Sequence, residues 1–280
     1  MVNYKEKLDE AIHLAQAQQK GFEQTRAEWL MLDVFQWTRT DFVVHMHDDM
    51  PKAMIMKFDL ALQRMLLGEP VQYIVGFASF YGRTFEVNTN CLIPRPETEE
   101  VMLHFLQQLE DDATIVDIGT GSGVLAITLK CEKPDLNVIA TDISLEAMNM
   151  ARNNAEKHQS QIQFLTGDAL KPLIKEGIKL NGLISNPPYI DEKDMVTMSP
   201  TVTRFEPHQA LFADNHGYAI YESIIEDLPH VMQKGSPVVF EIGYNQGEAL
   251  KSIILNKFPD KKIDIIKDIN GHDRIVSFKW

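Results

Sequence analysis

Residues 185–190 read Ser-Asn-Pro-Pro-Tyr-Ile and follow the apolar pair Leu183 and Ile184. A strand entering this segment cannot continue. Pro187 and Pro188 lack backbone donors and hold their own φ, and Pro187 drives Asn186 toward an extended conformation. The product is a stiff turn that carries one amide, Asn186, and one aromatic ring, Tyr189. A second set lies upstream, where Asp117-Ile118-Gly119-Thr120-Gly121-Ser122-Gly123 precedes Val124. Glycines there permit a tight turn and let a ligand approach the backbone, which suits a nucleotide-like molecule. The dinucleotide fingerprint would need a glycine at Val124, and no GxxxxGK[ST] run is present, so a phosphate cradle of that kind is excluded. Asp142, in Val-Ile-Ala-Thr-Asp-Ile-Ser, is placed to hold both hydroxyls of a ribose. Asp168, in Leu-Thr-Gly-Asp-Ala-Leu, can reach an adenine amino group or a backbone donor. Each acid alone could cap a helix. Together, three acids at successive strand ends frame an adenosine pocket.

The elements that must position these groups can be read from periodicity. Thr114 to Ile118, Val138 to Asp142, Ile162 to Leu165, Leu180 to Ser185 and Pro237 to Ile242 read as strands, with segments of helical length between them, such as Leu145 to His158 and Tyr218 to Met232. Such alternation implies a mostly parallel sheet covered by helices on both faces. Ile263 to Ile266 and Arg274 to Phe278 flank Asn270-Gly271, a hairpin signal, so an antiparallel pair closes the sheet. Upstream, residues 4–67 read as helices, with Leu8, Ile12 and Ala15 on one face and Thr25 with Glu28 resembling a capping box. This region is rich in methionine, a residue that more often fills cores than binds partners. Val71 to Val87 turns aromatic and β-branched around Gly76 and Gly82, which reads as a hairpin. The expected organisation is a helical domain over residues 1–70, a hairpin linker over 71–90 and an α/β domain over 91–280.

The chain has 280 residues and a formal net charge of -13, which argues against general attraction to nucleic acid or anionic membrane. Cys91 and Cys131 lack metal or disulfide spacing and suit a reducing compartment as small apolar groups. His45 and His47 have no third ligand at metal spacing and read as solvated. The polar start and the lack of an apolar run of the roughly 20 residues that a spanning helix needs place the protein in the cytoplasm as an expectation.

The order Val-Asp-Ile-Gly-Thr-Gly-Ser-Gly, Ala-Thr-Asp-Ile-Ser, Thr-Gly-Asp-Ala and Asn-Pro-Pro-Tyr resembles the motifs of class I S-adenosylmethionine-dependent methyltransferases. The resemblance implies a Rossmann-like fold with a seven-stranded sheet whose last strand is antiparallel. It also implies that Gly119, Gly121 and Asp142 bind the cofactor and that Asp117 anchors the loop. Thr120, Ser122, Gly123, Ile143, Asp168, Ala169 and Asn186 complete the implied cofactor set. Methyl transfer from a sulfonium is a direct displacement, so a nucleophile's lone pair must be aimed along the bond that breaks. A planar NH₂ group is a poor nucleophile because its lone pair is delocalised. The Asn186 side-chain oxygen and the Pro187 carbonyl can each accept one of its N–H bonds, and these bonds strengthen as the nitrogen becomes cationic. Tyr189 can pack on the planar group. A rigid turn with no chemistry is the alternative, and the matching cofactor loop makes it the weaker one.

Which planar nitrogen is held follows from a narrower likeness. Residues 68–87, Leu92 to Glu100 (Leu-Ile-Pro-Arg-Pro-Glu-Thr-Glu-Glu) and Arg204 to Leu211 (Arg-Phe-Glu-Pro-His-Gln-Ala-Leu) resemble HemK-type protein-(glutamine-N(5)) methyltransferases. That family modifies the glutamine of the Gly-Gly-Gln loop in class 1 peptide chain release factors. The likeness implies that Asn186, Pro187, Pro188 and Tyr189 bind this amide, with Arg95 and Glu97 on a loop over the site. An ion pair between Arg95 and Glu97 is the favoured reading of those two residues. A monomer that acts on protein, without direct nucleic-acid contact or membrane attachment, is expected. The alternatives are an RNA guanine-N2 methyltransferase and a non-catalytic S-adenosylmethionine sensor.

Overall fold

A computed structural model describes residues 2–18 and 22–280. The chain divides into two compact units, Met1–Gly76 with Pro200–Phe205, and Phe77–Ser199 with Glu206–Trp280.

The first unit contains α1 (Tyr4–Gln18), α2 (Gln24–Phe35), α3 (Arg39–His45), α4 (Lys52–Leu66) and α5 (Val71–Val75). Buried positions recur at three- and four-residue spacing in three of these helices: Leu8, Ala11, Ile12 and Ala15; Ala27, Leu30, Met31 and Val34; Phe58, Ala61, Leu62 and Met65. This places one apolar stripe per helix into a shared cluster. Each large side chain so buried contributes roughly 1.5–3 kcal/mol. Lys7 is buried with them, and its ammonium reaches Asp59 Oδ1 at 2.7 Å and Glu10 Oε2 at 3.1 Å. Met31, Met50 and Met65 fill the core, whereas Met54 and Met56 are exposed.

Two local readings need correction. Thr25 and Glu28 lie within or beside the first turn of α2, whose N-cap is Glu23, because the buried face already includes Ala27. A capping box forms instead at Thr38 and Asp41, ahead of α3. Val71–Val75 is helical rather than part of a hairpin. Pro70 sets the first turn with φ −58°, its carbonyl accepts from Tyr73 and Ile74 N–H, and Gly76 closes the turn in the left-handed region. These end signals, with burial of Tyr73, outweigh the β preference of Val and Ile. The hairpin is shorter, β1 (Phe77–Phe80) with β2 (Arg83–Glu86), joined through Tyr81 and Gly82 at φ 46° and 71°. Positive φ at both central residues gives the turn whose twist matches the strands. His45 is paired with Asp48 at 2.8 Å and stacked on Trp37.

The second unit is built on seven strands: β3 (Thr114–Ile118), β4 (Asn137–Asp142), β5 (Ile162–Thr166), β6 (Gly182–Ser185), β7 (Pro237–Glu241), β8 (Ile263–Lys267) and β9 (Asp273–Lys279). Their order is β5-β4-β3-β6-β7-β9-β8, parallel except that β9 runs antiparallel to both neighbours. The final strand therefore inserts between β7 and the edge strand β8. Helices α6 (Pro96–Leu106), α7 (Val124–Glu132), α8 (Leu145–Lys157), α9 (Lys171–Glu176), α10 (Ala219–Val231) and α11 (Gly247–Lys257) cover it. Val116, Ile118, Leu183, Val238 and Phe240 pack with Ile224, Leu228, Leu250 and Ile254. Ile115, Ile184 and Val239, the alternate strand positions, pack with Val101, Phe105, Leu125 and Leu129. Both sheet faces are thus buried, as period-two alternation between two apolar surfaces requires. β3 lies between β4 and β6, and the chain crosses to opposite sides from it, which leaves a crevice at the strands' C-terminal ends. Among the described residues no helix is long and apolar enough to cross a membrane.

Candidate active site

The crevice is a cleft of about 540 Å³ at the ends of β3, β4 and β6. Its floor is the loop after β3. Gly119 and Thr120 donate their N–H groups to the Thr141 carbonyl at 2.9 and 3.0 Å, and Gly121 N–H donates to Asp142 Oδ2 at 2.9 Å. Gly119 and Gly121 sit at φ 71° and 57°, and a Cβ on either would meet nothing within 4 Å among the described residues. Bare backbone here borders open cleft, so a ligand can lie directly against it. Gly123 answers a different need, because a Cβ there would stand 2.8 Å from Ile127 Cδ1 and 3.1 Å from Ala151 Cβ. Asn154 braces the loop from α8: its Nδ2 donates to the Ser122 and Glu86 carbonyls at 2.9 Å, and its Oδ1 accepts from Glu86 N–H at 2.8 Å.

Two carboxylates set the electrostatics. Asp117 is fully buried; its Oδ2 accepts from Thr120 Oγ1 at 2.6 Å and Ala126 N–H at 3.2 Å. Burial pushes its carboxyl up to about 7, against the opposing pull of those two bonds. Its Oδ1 is buried without a partner among the described residues. Burial likewise raises Asp142, whose oxygens accept from Gly121 and Ser144 N–H. With about four lone-pair sites, the Asp142 carboxylate keeps room for a ligand hydroxyl. Among the described residues the charged lining consists of Asp142, Glu146, Asp168, Glu192, Asp214 and Arg95. Five acids facing one base favour a cationic ligand over a phosphate. A sulfonium with an ammonium, carried by a ribose, fits the charge of that lining.

Asn186 stands at the end of β6 on the cleft wall. Its Nδ2 donates to Thr98 Oγ1 at 3.3 Å, and Thr98 Oγ1 donates to Glu241 Oε2 at 2.7 Å. Burial pushes the Glu241 carboxyl up to about 7, opposed by the Thr98 bond and the Arg274 charge. Behind the prolines, the Tyr189 carbonyl accepts from Gln246 Nε2 at 2.9 Å, and Gln246 Oε1 accepts from Gly243 N–H at 2.9 Å. Ile190 exchanges backbone bonds with Leu211 and Ala213 at 3.0 Å. Asn215, His216 and Gly217 follow in the left-handed region, at φ 52°, 55° and 87°.

Of the residues singled out from the sequence, Arg95, Gly119, Thr120, Gly121, Ser122, Asp142, Ile143, Asp168, Ala169, Asn186, Pro187 and Pro188 share this cleft. Asp117 lies beneath it and Gly123 caps α7 behind it. Glu97 and Tyr189 are not among the lining residues; the Tyr189 ring packs on the core, and burial pushes its hydroxyl up to about 12. The Asp168 carboxylate is paired with Lys171. The proposed Arg95–Glu97 pair does not form. Arg95 instead donates to Glu206 Oε1 at 2.6 Å, and Glu206 Oε2 accepts from Ile93 N–H at 3.3 Å. Glu97 follows Pro96 in the first turn of α6, so the buried acid on the Arg-Phe-Glu-Pro segment wins the guanidinium. Asn154, Gly217, Glu241 and Gln246 escaped sequence reasoning, and Thr98 entered it only as part of the loop over the site. Only Glu241 left a signal, as a lone acid in the apolar run Val238-Val239-Phe240-Glu241-Ile242.

Residues 97–205 match the family model of the methyltransferase small domain, and residues 6–76 match that of the PrmC N-terminal domain. The chain is 97% identical over 280 residues to a release factor glutamine methyltransferase of Staphylococcus aureus (strain NCTC 8325 / PS 47), covering 100% of both. It is 39% identical to that of Enterococcus faecalis (strain ATCC 700802 / V583), over 98% of both chains. Among solved structures, a methyltransferase from Pyrococcus furiosus matches with a TM-score of 0.53 over 78% of this chain and 96% of that one; at 17% identity this concerns the fold alone. A glycine loop and buried acids built for a cationic adenosine ligand, a proline-stiffened amide beside them, and identity along the whole chain agree: this protein belongs to the release factor glutamine methyltransferase family.

Proposed function

We propose that this enzyme transfers a methyl group from S-adenosylmethionine to the side-chain amide nitrogen of the glutamine in the Gly-Gly-Gln loop of peptide chain release factors, in support of translation termination. The cofactor supplies an electrophilic methyl group. Asp142 would hold its ribose, Gly119 and Gly121 would lie against its amino-acid portion, and Asp117 would keep the loop in place. The observation that carries the reading is the Asn186 amide: its Nδ2 faces Thr98, to which it donates one N–H, and this leaves Oδ1 as the acceptor open to a ligand on the cleft wall. Asn186 Oδ1 and the Pro187 carbonyl each accept one N–H of the substrate amide, which turns the nitrogen lone pair toward the methyl. The bonds strengthen as the nitrogen gains positive charge, so they lower the barrier rather than merely hold substrate. The cationic product nitrogen is acidic and releases its proton to water, so no strong base is required. Tyr189 serves from behind, as a wedge whose carbonyl is held by Gln246. Among the described lining residues Arg95 is the one lysine or arginine, and it is paired with Glu206, so the acid-rich cleft offers a nucleic-acid phosphate little charge, which supports a protein substrate.

The test is incubation with labelled cofactor and, in parallel, purified release factor, the same factor with its Gly-Gly-Gln glutamine replaced by alanine, and bulk RNA. Label in the intact factor alone is expected. Label in RNA alone overturns the reading.

A further inference from the structure

We propose that Thr98 and Glu241 are positioning residues for Asn186, forming a relay that dictates which end of its amide faces the substrate. The inference rests on the role given to Asn186 above and extends it to Thr98, which borders the cleft, and to Glu241 behind it.

The relay joins three elements: Thr98 in the first turn of α6, Asn186 just past β6 and Glu241 at the end of β7. Thr98 and Glu241 are 3% and 1% exposed. Burying a hydroxyl and a carboxyl there costs free energy unless each finds a partner. They find each other. A hydroxyl has one proton, and with Glu241 ionised Thr98 Oγ1 gives it to Glu241 Oε2 at 2.7 Å. Toward Asn186 it therefore presents a lone pair, which Nδ2 approaches at 3.3 Å. A flipped amide would set its oxygen against that lone pair, two acceptors without a proton between them. The flip is thus disfavoured, and Oδ1 is left to the substrate. Without the relay the amide divides between two orientations, and the wrong one offers an NH₂ to the substrate's NH₂.

Three substitutions separate this role from bulk structure. Thr98→Val keeps the shape and removes the hydroxyl, Thr98→Ser keeps the hydroxyl, and Glu241→Met keeps the bulk and removes the acceptor of the Thr98 proton. In steady-state methylation of release factor, Thr98→Val is expected to lower kcat roughly tenfold, the scale of one neutral hydrogen bond. Its KM for the cofactor stays near wild type, because Asp142 and the glycine loop are untouched. Thr98→Ser is expected to restore most of kcat, and Glu241→Met to behave like Thr98→Val. Added to Asn186→Ala, Thr98→Val should cost nothing more, since the residue it positions is gone. A Thr98→Val or Glu241→Met enzyme with native melting and full kcat overturns the relay, as do losses that multiply in the double variant. Should Thr98→Val fail to fold, Thr98→Ala and Glu241→Met carry the same test. Near wild-type turnover of Asn186→Ala alone instead overturns the role of Asn186 itself.

Discussion

Gly217 controls the back of the proline turn, and the consequence of filling its space can be worked out from the structure. It lies at φ +87°, and a Cβ there would stand 2.1 Å from the Tyr189 carbonyl oxygen, 2.7 Å from its carbon and 3.0 Å from Gln246 Nε2. Two costs follow for Gly217→Ala. The left-handed conformation costs roughly 1–2 kcal/mol for a residue with a Cβ, and overpacking adds about 1–3 kcal/mol. Relief requires a backbone shift of roughly 1 Å, away from the Gln246 bond that holds Tyr189, and misplacement on that scale can cost on the order of 10² in rate. Gly235 supplies the control, with φ +86° and nothing within 4 Å of its would-be Cβ among the described residues. Gly235→Ala should therefore show only the strain, a melting point lower by about 2–4 °C per kcal/mol, with normal turnover. Gly217→Ala should melt lower still and lose on the order of 10² in kcat, with cofactor affinity by calorimetry preserved. If the two variants turn over within threefold of each other, the close approach to Tyr189 does not shape the active site and the reasoning fails.

Three further outcomes are expected. Asn186→Ala should retain cofactor affinity and lower kcat by on the order of 10² or more, as for loss of a transition-state hydrogen bond, measured with release factor as substrate. Arg95→Ala strands the Glu206 carboxylate, whose side chain is 2% exposed; with Arg95 itself partly exposed, urea unfolding should show a loss of about 2–3 kcal/mol, and adding Glu206→Gln should recover much of it. Glu241 has its carboxyl raised from 4.5 to about 7 by burial, so the folded state holds that proton more tightly than the unfolded chain. Its contribution is fully present below the unfolded value and is lost as pH rises through the window between the two, with a ceiling of roughly 3 kcal/mol. Glu241→Gln should flatten the fall in melting temperature between pH 5 and pH 8, leaving the part due to Asp117, which titrates in the same direction.

What could be read along the chain was whatever its own local pattern dictates. The strands of the parallel sheet are apolar on successive residues because both faces are buried, and the helices of the first unit carry three- and four-residue stripes. The glycine loop and the double proline announce themselves because each solves a backbone problem that few residue types can solve. Val71–Val75 was misread because a five-residue segment has too little periodicity to separate strand from helix, and its end signals with Tyr73 burial decided the matter. The partners of the site were hidden for a different reason. Arg95 meets Glu206 across 111 positions and Thr98 meets Glu241 across 143. Nothing in the neighbourhood of Arg95 distinguishes Glu206 from the nearer Glu97. The sequence by itself determined that a stiff amide follows a buried strand and that acids end its neighbours. Only the tertiary structure decided which way that amide faces, because the proton that orients it is committed to a carboxylate on another strand.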